Sequence, residues 1–396
     1  MSTVHSPMKL LGAVCLALSM ALSAGCGALP PVQEKISTPD TEDAAAPRDI
    51  FVFLDGTRND PSSATNVWRL YEAVSRAGRH AIYIEGVGSA ETPLLGAAWG
   101  VGMEARILRG YAYLSSTYRP GDRIFIFGFS RGAHQARALA GLIAYAGLIG
   151  NAGQYSASQL RTRGNRVLEL TKQYDDIATS APMQAHPETP PLLGVVASRL
   201  GMSNVVAPVE FLGLWDTVPG SSFKDYKDCR EVADGREGDR YKVGSYPLIR
   251  HIAHAVALDE KRSKFAPIAL CQPVAGHLTR TDEQWFAGAH SDVGGGYAVS
   301  TMHLAALNWM VGLLRPHLSA AIADFPGAAP AQPAHWSMAD APGNALSECI
   351  DRAVPDGATL HPSALAYRSA ASAPLLVKGR VVDSPNPPRC DNVGAR

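Results

Sequence analysis

The pattern Gly-Phe-Ser-Arg-Gly at positions 128–132 places a serine where it could act as a nucleophile. The apolar run 124–127 before it predicts a strand, and the stretch 133–146 after it predicts a helix. In this context G-x-S-x-G forms a sharp turn, a nucleophile elbow, that exposes the serine hydroxyl above the sheet. Gly128 and Gly132 are expected because strand and helix pass too close there for side chains. The alternative is a tight turn with an incidental serine.

A serine hydroxyl needs a base to take its proton and an acid to orient that base. In hydrolases with this turn, the acid and then the histidine follow the nucleophile along the chain. Asp216 closes the apolar run 209–215, and His290 follows the predicted strand 284–287. Since the carboxyl ends of parallel strands lie at one edge of a sheet, Ser130, Asp216 and His290 are predicted to be catalytic.

Other carboxylates could orient the base. Asp292 lies only two residues beyond His290 and is poorly placed to reach back to its ring. Asp175 and Asp176 belong to a polar stretch away from the predicted strand ends. Asp216 itself could be a turn or helix-capping residue, because aspartate is frequent at strand ends. The order along the chain favours Asp216 as the acid.

Two histidines compete with His290 as the base. His254 lies within a helix-like run, where a packed and hydrogen-bonded histidine is the alternative interpretation. His134 comes one helical turn after Ser130, so the helix would direct it along its own face. His290 is favoured because it directly follows a predicted strand.

The oxyanion formed during acyl transfer needs backbone N–H donors beside the nucleophile. The residue after the serine, Arg131, supplies one donor, and a loop after an earlier strand supplies another. That loop is predicted to contain Gly56 and Thr57, which follow the strand 50–54. Gly56 would allow the backbone to approach closely.

Asp55 precedes this loop and has several possible roles. It could hold the loop by hydrogen bonds, or it could pair with Arg131 or Arg137. A metal site would gather Asp55, His290 and Asp292, but nothing in their spacing requires a metal. We therefore predict supporting roles for Asp55 and Asp292, no metal and no cofactor.

Composition excludes some classes of function. The chain has 396 residues with 46% hydrophobic and 18% charged content, so it can bury a large core. Lys plus Arg and Asp plus Glu balance at 36 each, and no basic run stands out. Nucleic acid is therefore not expected as a partner, and the sequence identifies no protein partner.

The N-terminal residues have the pattern of an export signal. Lys9 precedes an apolar run over residues 10–22, which ends at Ser23-Ala24-Gly25-Cys26. The final cysteine resembles a bacterial lipoprotein box and predicts that Cys26 is lipidated and becomes the new N-terminus once the signal segment before it is removed. Ordinary cleavage near Ala24 is the alternative. We expect an outer-membrane or periplasmic lipoprotein that is associated with the membrane through this anchor.

Four cysteines follow the signal, namely Cys229, Cys271, Cys349 and Cys390. In an exported protein they are disulfide candidates and would form two bridges, with three pairings open. Their spacing does not indicate a zinc site.

Alternating strands and helices predict an α/β fold with a mostly parallel sheet and helices on both faces. The predicted strands are 50–54, 80–85, 124–127, 209–214, 266–270 and 284–287. The predicted helices are 65–77, 104–118, 133–146, 248–258 and 302–314. The domain interpretation is a tether at 27–48, a catalytic domain at 49–325 with an insertion at 150–207, and a Pro/Ala-rich C-terminal extension at 326–396 packed on the domain. The insertion is either a lid over the site or a surface excursion.

Several blocks in order resemble the type VI secretion phospholipase-effector-like α/β-hydrolase family. The similar blocks are 53–57, 65–67, 86–88, 127–133, 211–218, 254–260 and 290–297. This resemblance implies an α/β-hydrolase-like fold and a hydrolase acting on phospholipid or related esters. It places the nucleophile, acid and base on Ser130, Asp216 and His290. The predicted lipid anchor differs from an injected effector and favours an anchored envelope lipase or esterase.

The sequence thus predicts a carboxylic ester hydrolase that works through an acyl-enzyme on a lipid or other ester. One alternative is a non-catalytic envelope lipoprotein that binds a partner or a lipid. Another is an acyltransferase, which would form the same acyl-enzyme but exclude water.

Overall fold

The computed structural model of the protein describes the greater part of its residues. These are residues 32–40, 46–88, 96–174, 176–219, 241–271, 273, 278–329, 332–340, 347–370, 372–391 and 393. The predicted signal segment 1–26 with Cys26, and also Cys229, lie outside the described residues.

Strands alternate with helices along the described chain. The strands are β1 (Glu34–Ser37), β2 (Asp49–Leu54), β3 (His80–Ile84), β4 (Arg123–Phe129), β5 (Leu148–Ile149), β6 (Asn204–Val205), β7 (Val209–Trp215), β8 (His251–Ala257), β9 (Arg280–Phe286), β10 (Ala334–His335), β11 (Ser372–Val377) and β12 (Arg380–Pro385). The helices are α1 (Asn66–Arg76), α2 (Gly96–Thr117), α3 (Arg131–Ala146), α4 (Ala157–Thr171), α5 (Asp176–Ala185), α6 (Leu193–Leu200), α7 (His290–Gly294), α8 (His303–Leu314), α9 (Ser337–Asp340) and α10 (Pro362–Ser369).

A seven-stranded sheet forms the centre, in the order β1-β3-β2-β4-β7-β8-β9. Only its edge strand β1 is antiparallel, and the remaining neighbours pair in parallel. Strands β2 and β4 lie in the interior, and the apolar residues that compose them are fully buried. Parallel strands that are covered on both faces are expected to be continuous apolar runs. The predicted α/β fold with a mostly parallel sheet is confirmed.

Helices cover both faces of the sheet. On one face, α1 and α8 pack against a layer of phenylalanine rings from β2, β4 and β7. Phe51 stacks on Phe125 with ring centroids 4.7 Å apart, and Phe53 stacks on Phe127 at 5.3 Å. On the other face, α2 and α3 meet so closely that a Cβ on Gly110 would lie 2.7 Å from Leu139. Burying each of the stacked phenylalanine rings, compared with leaving it in water, stabilises the fold by about 2–3 kcal/mol.

Two predicted elements are wrong. The predicted helix 248–258 is the strand β8, because a short apolar run cannot be distinguished from a buried helix by its periodicity. The predicted strand 266–270 forms no sheet ladder. Its backbone is held by side chains instead, since the Ile268 carbonyl accepts from Arg137 and the Leu270 N–H donates to Glu283.

The regions outside the predicted core sheet are more regular than expected. Within the predicted tether 27–48, residues 34–37 form β1, because their backbone pairs with the edge of β3. The predicted insertion 150–207 contains α4, α5 and α6 and is closed by the short ladder of β5 and β6. In the predicted extension 326–396, β10, β11 and β12 form a small sheet, and α10 packs its Ala364 beside Trp285 of β9.

Covalent bonds fasten the C-terminal region. Cys349 and Cys390 form a disulfide, and Cys271 is also disulfide-bonded. Among the described residues, no helix is both long and apolar enough to cross a membrane.

The turn between β4 and α3 depends on two glycines. A Cβ on Gly128 would lie 2.3 Å from the Gly132 carbonyl oxygen, and one on Gly132 would lie 2.2 Å from that of Leu54. Real Cβ atoms do not approach backbone oxygens this closely. The close passage of strand and helix that the motif predicts is therefore present.

Replacing Gly132 by alanine should lower the free energy of unfolding by about 1–3 kcal/mol or more, because backbone must move to admit the methyl group. Gly312→Ala is the matched control, since a Cβ added at this helical glycine in α8 would meet no atom of the described residues within 4 Å outside its own helix. That control should stabilise the protein by about 0.5–1 kcal/mol. Thermal unfolding of both variants measures the difference, and equal midpoints would contradict the close approach.

Candidate active site

Ser130 lies between β4 and α3 and is only 4% exposed. Its backbone has φ 59° and ψ −128°, a conformation that L residues rarely adopt. Such backbone strain costs about 1–3 kcal/mol and persists only where the surroundings enforce it. Here the Ser130 N–H donates to the Trp215 carbonyl at 3.0 Å, which holds the turn against the end of β7.

Asp216 follows β7 and is fully buried, also with a positive φ of 38°. Its Oδ2 accepts a hydrogen bond from His290 Nδ1 at 2.5 Å. Its Oδ1 accepts from the Ala257 N–H at 2.9 Å, and both oxygens accept from the Arg352 guanidinium. Burial alone would raise the pKa of Asp216, but Arg352 and His290 outweigh it and hold the pKa below its ordinary value. The carboxyl is therefore ionised.

His290 begins the short helix α7, and its ring is enclosed by aromatic side chains. Phe129 lies on one side with ring centroids 4.5 Å apart, and Phe265 meets it edge-on at 5.0 Å. The His290 backbone N–H donates to Glu260 at 3.2 Å. Since Phe129 directly precedes Ser130, this packing brings the imidazole to the nucleophile turn.

The electrostatics of His290 suit a general base. Burial lowers the pKa of His290 below its ordinary value, and the bond to Asp216 offsets only part of this effect. The ring is therefore neutral near pH 7. Because Asp216 is ionised, Nδ1 carries the ring proton and Nε2 presents a lone pair. Nε2 is buried and has no hydrogen-bond partner among the described residues.

The loop after β2 lies directly against Ser130. A Cβ on Gly56 would lie 3.0 Å from the Ser130 Cβ, which is closer than most real Cβ contacts, so the loop packs tightly on the serine. The Gly56 N–H itself donates to Asp55 at 2.7 Å. The Thr57 hydroxyl accepts from the side chain of Arg131 at 3.0 Å, which links this loop to the first residue of α3.

Asp55 holds this loop by hydrogen bonds, one of the roles considered for it. Besides Gly56, its carboxylate accepts from the Thr65 hydroxyl and the Tyr83 hydroxyl, each at 2.7 Å. No contact with Arg131 or Arg137 is present among its hydrogen bonds. Burial raises the pKa of Asp55 to about 6, because these neutral donors compensate only partly for lost water.

Asp292 supports the helix that carries His290. Its Oδ2 accepts from the Ala289 N–H at 3.0 Å and its Oδ1 pairs with His335 Nδ1 at 2.7 Å. Asp55, His290 and Asp292 thus each bind different partners, and no group of three or more metal-ligating side chains occurs among the described residues.

The competing histidines have other surroundings. His254 lies on β8, where Nδ1 pairs with Glu283 at 2.9 Å and Nε2 accepts from the Thr217 N–H at 3.1 Å. It therefore steadies the segment after Asp216. His134 on α3 is fully buried with neither ring nitrogen hydrogen-bonded, and burial lowers its pKa to about 3.

Three residues of the site were not predicted. Arg352 binds Asp216 from a segment 136 positions away, and no local motif marks it. Glu260 binds the His290 N–H and forms an ion pair with Arg262 at 2.8 Å. Asn66 donates to the Val293 carbonyl and so joins α1 to α7. Asn66 and Glu260 lie within the blocks that carry the family resemblance, which is the signal that could have identified them.

The model of the "T6SS, Phospholipase effector Tle1-like, catalytic domain" family matches residues 48–312. An uncharacterised protein of Saccharomyces cerevisiae is 25% identical over 242 residues, which are 55% of this chain and 32% of that protein. The crystal structure of an uncharacterised Pseudomonas aeruginosa protein is 18% identical, covers 78% of this chain and 49% of its own, and superposes with a TM-score of 0.41. A butyrate-bound esterase of Thermogutta terrifontis is 13% identical, with coverage of 72% and 89% and a TM-score of 0.39. The chain thus spans about a third of the yeast protein and about half of the Pseudomonas one.

Replacing Asp55 by asparagine should change how stability depends on pH. The pKa of Asp55 rises from 3.8 to about 6 on folding, so the native state binds its proton more tightly. The stability of the wild type relative to Asp55→Asn is then greatest below pH about 4 and falls by on the order of 3 kcal/mol as the pH rises through about 6. Urea unfolding of both proteins across this range measures the fall.

Asp60→Asn is the control, because the stability that Asp60 contributes should depend on pH in the opposite direction. A hydrogen bond from Ser62 lowers the pKa of Asp60, so its contribution is lost as the pH falls rather than as it rises. A wild-type advantage over Asp55→Asn that does not depend on pH would refute the raised pKa.

Proposed function

This chain belongs to the Tle1-like phospholipase effector family of the type VI secretion system, and we propose that it hydrolyses carboxylic esters of lipids. The observation that carries the proposal is the buried bond between Asp216 and His290, whose ring packs on Phe129, the residue directly before the strained Ser130 turn. An ionised acid, a neutral base of defined tautomer and an adjacent serine are the requirements of nucleophilic acyl transfer.

The proposed reaction begins when His290 Nε2 takes the Ser130 hydroxyl proton and Oγ attacks the ester carbonyl carbon. The tetrahedral intermediate collapses, His290 gives the proton to the departing alcohol oxygen, and the acyl group stays on Ser130. Water then attacks the acyl carbon while His290 Nε2 takes its proton. His290 returns this proton to Ser130 Oγ as the acyl–Oγ bond breaks and the fatty acid leaves. Asp216 keeps Nδ1 protonated and stabilises the imidazolium that forms in each half-reaction. Every proton transfer uses this chain's own residues.

For the oxyanion, we assign the backbone N–H groups of Thr57 and Arg131. The Gly56 N–H is already donated to Asp55, so the role of Gly56 is to let the loop approach Ser130. Arg131 directly follows the nucleophile at the N-terminus of α3, where the helix dipole also favours negative charge.

Replacing Ser130 by alanine should reduce hydrolysis by about 10⁴-fold or more while the fold is retained, because no other group supplies the nucleophile. The assay presents the full-length chain with p-nitrophenyl esters of increasing acyl length and with defined phospholipids, with and without an added alcohol acceptor. Ser158→Ala is the matched control, since this serine is exposed on α4.

Three outcomes of this assay contradict parts of the proposal. Activity that survives in Ser130→Ala would remove this serine as the nucleophile. A folded wild type that is inert on every ester would favour the non-catalytic alternative. Acyl groups that appear mainly on the alcohol would identify an acyltransferase.

We further propose that residues 1–26 direct export and that Cys26 carries a lipid, as the box Ser23-Ala24-Gly25-Cys26 supports. Cys26→Ser should then move the protein from the membrane fraction to the soluble fraction and abolish labelling by a fatty-acid probe. Cys15→Ser, within the apolar run, is the matched control and should leave both readouts unchanged. Unchanged labelling of Cys26→Ser would refute the anchor.

A further inference from the structure

Arg352 is bound to the acid of the proposed site from outside the matched family region. The family model ends at residue 312. Nη1 of Arg352 nevertheless lies 2.7 Å from Asp216 Oδ1, and its Nη2 lies 2.9 Å from Asp216 Oδ2. The same guanidinium donates to the carbonyls of Ala257 and Phe265, each at 2.5 Å. Its side chain is only 5% exposed. Arg352 thus bridges the end of β8, the acid and the residue whose ring packs on His290.

The segment around Arg352 is fastened to the domain by backbone hydrogen bonds, and a disulfide joins it to the end of the C-terminal extension. The Ile350 N–H donates to the Lys261 carbonyl at 2.8 Å, and the Ser263 N–H donates to the Glu348 carbonyl at 2.9 Å. Cys349, three residues before Arg352, is joined to Cys390 beyond β12. Together with the ion pair between Lys261 and Asp351 at 2.7 Å, these contacts hold the segment that carries the guanidinium.

This arrangement affects the carboxylate in two ways. A two-pronged guanidinium contact fixes the plane of a carboxylate more tightly than a single hydrogen bond does. It also supplies the positive charge that lets a fully buried carboxyl stay ionised. Without Arg352, the Asp216 carboxylate would be more basic and would attract the Nδ1 proton of His290 more strongly.

We propose that Arg352 is a positioning residue of the active site, which orients Asp216 and sets the basicity of His290 from the C-terminal segment. The inference rests on the proposed hydrolase function for its catalytic meaning. It makes the segment 347–352 part of the working site, although this segment lies outside the matched catalytic domain.

The other charges near His290 are already paired. Glu260 binds the His290 N–H and is neutralised by Arg262, and Asp292 on the same helix is bound to His335. Arg352 is the arginine in direct contact with both oxygens of Asp216, so its removal changes the charge balance of the Asp216–His290 pair. Losing a positive charge favours the imidazolium, so the pKa of His290 should rise.

The test compares Arg352→Gln with Arg352→Lys and with the wild type. NMR titration of the histidine rings, with His290 identified by its loss in His290→Gln, needs no substrate. The His290 pKa should rise by about one unit in Arg352→Gln and less in Arg352→Lys, which keeps the charge. The acidic limb of the pH profile of kcat/KM should move to higher pH by the same amount. At pH 7, kcat/KM should fall by about ten- to a hundred-fold.

Arg368→Gln is the matched control, because Arg368 also faces a buried carboxylate, Asp259, from the C-terminal region. It should leave the His290 titration and the acidic limb in place. A merely structural role for Arg352 would lower activity at every pH without moving either readout, and that result would overturn the inference. Inactivity of the wild type on all esters would instead contradict the proposed function, since the NMR titration does not depend on it.

Discussion

The buried carboxylate of Asp216 is the constraint on which the assembly of the site depends. An ionised group without water must have its lone pairs occupied by donors, or the fold loses several kcal/mol. The donors here are the Ala257 backbone, His290 and Arg352. They come from the end of β8, from α7 and from the C-terminal segment. Those three parts of the chain must all be in place before the charge is satisfied, so docking of the C-terminal segment and completion of the site are coupled.

Most of the fold could be predicted because buried parallel strands are continuous apolar runs. The strands 50–54, 124–127 and 209–214 were found this way and are confirmed. The strand β8 was not, because it carries His251 and His254 among small residues. Both histidines are buried with a carboxylate partner on β9, Asp282 for His251 and Glu283 for His254. Their other ring nitrogens bond His317 and the Thr217 N–H. Because these hydrogen bonds join residues that are distant in the chain, they produce no periodic pattern in the sequence.

The distinction between local sequence patterns and long-range contacts also separates the site residues that were predicted from those that were not. Ser130 stands in a local motif, and Asp216 and His290 stand at strand ends in a known order, so chain-local signals identify them. The roles of Glu260 and Arg352 come from contacts with residues 30 and 136 positions away. Asp55 is intermediate, because its place after β2 marks it but only the fold shows that Thr65 and Tyr83 are its partners.

The sheet itself holds the strained backbone at the ends of β4 and β7, where Ser130 and Asp216 lie. Ser130 and Asp216 both have positive φ, yet each donates its N–H to the strand beside it. Ser130 bonds to Trp215 and Asp216 bonds to Ala255, which extends the register of β4, β7 and β8 by one step beyond the paired residues. A slip of one residue would turn each side chain to the opposite face. The apolar runs that specify this register therefore also specify which side chains meet above the sheet, and the chemistry of the site depends on the packing beneath it.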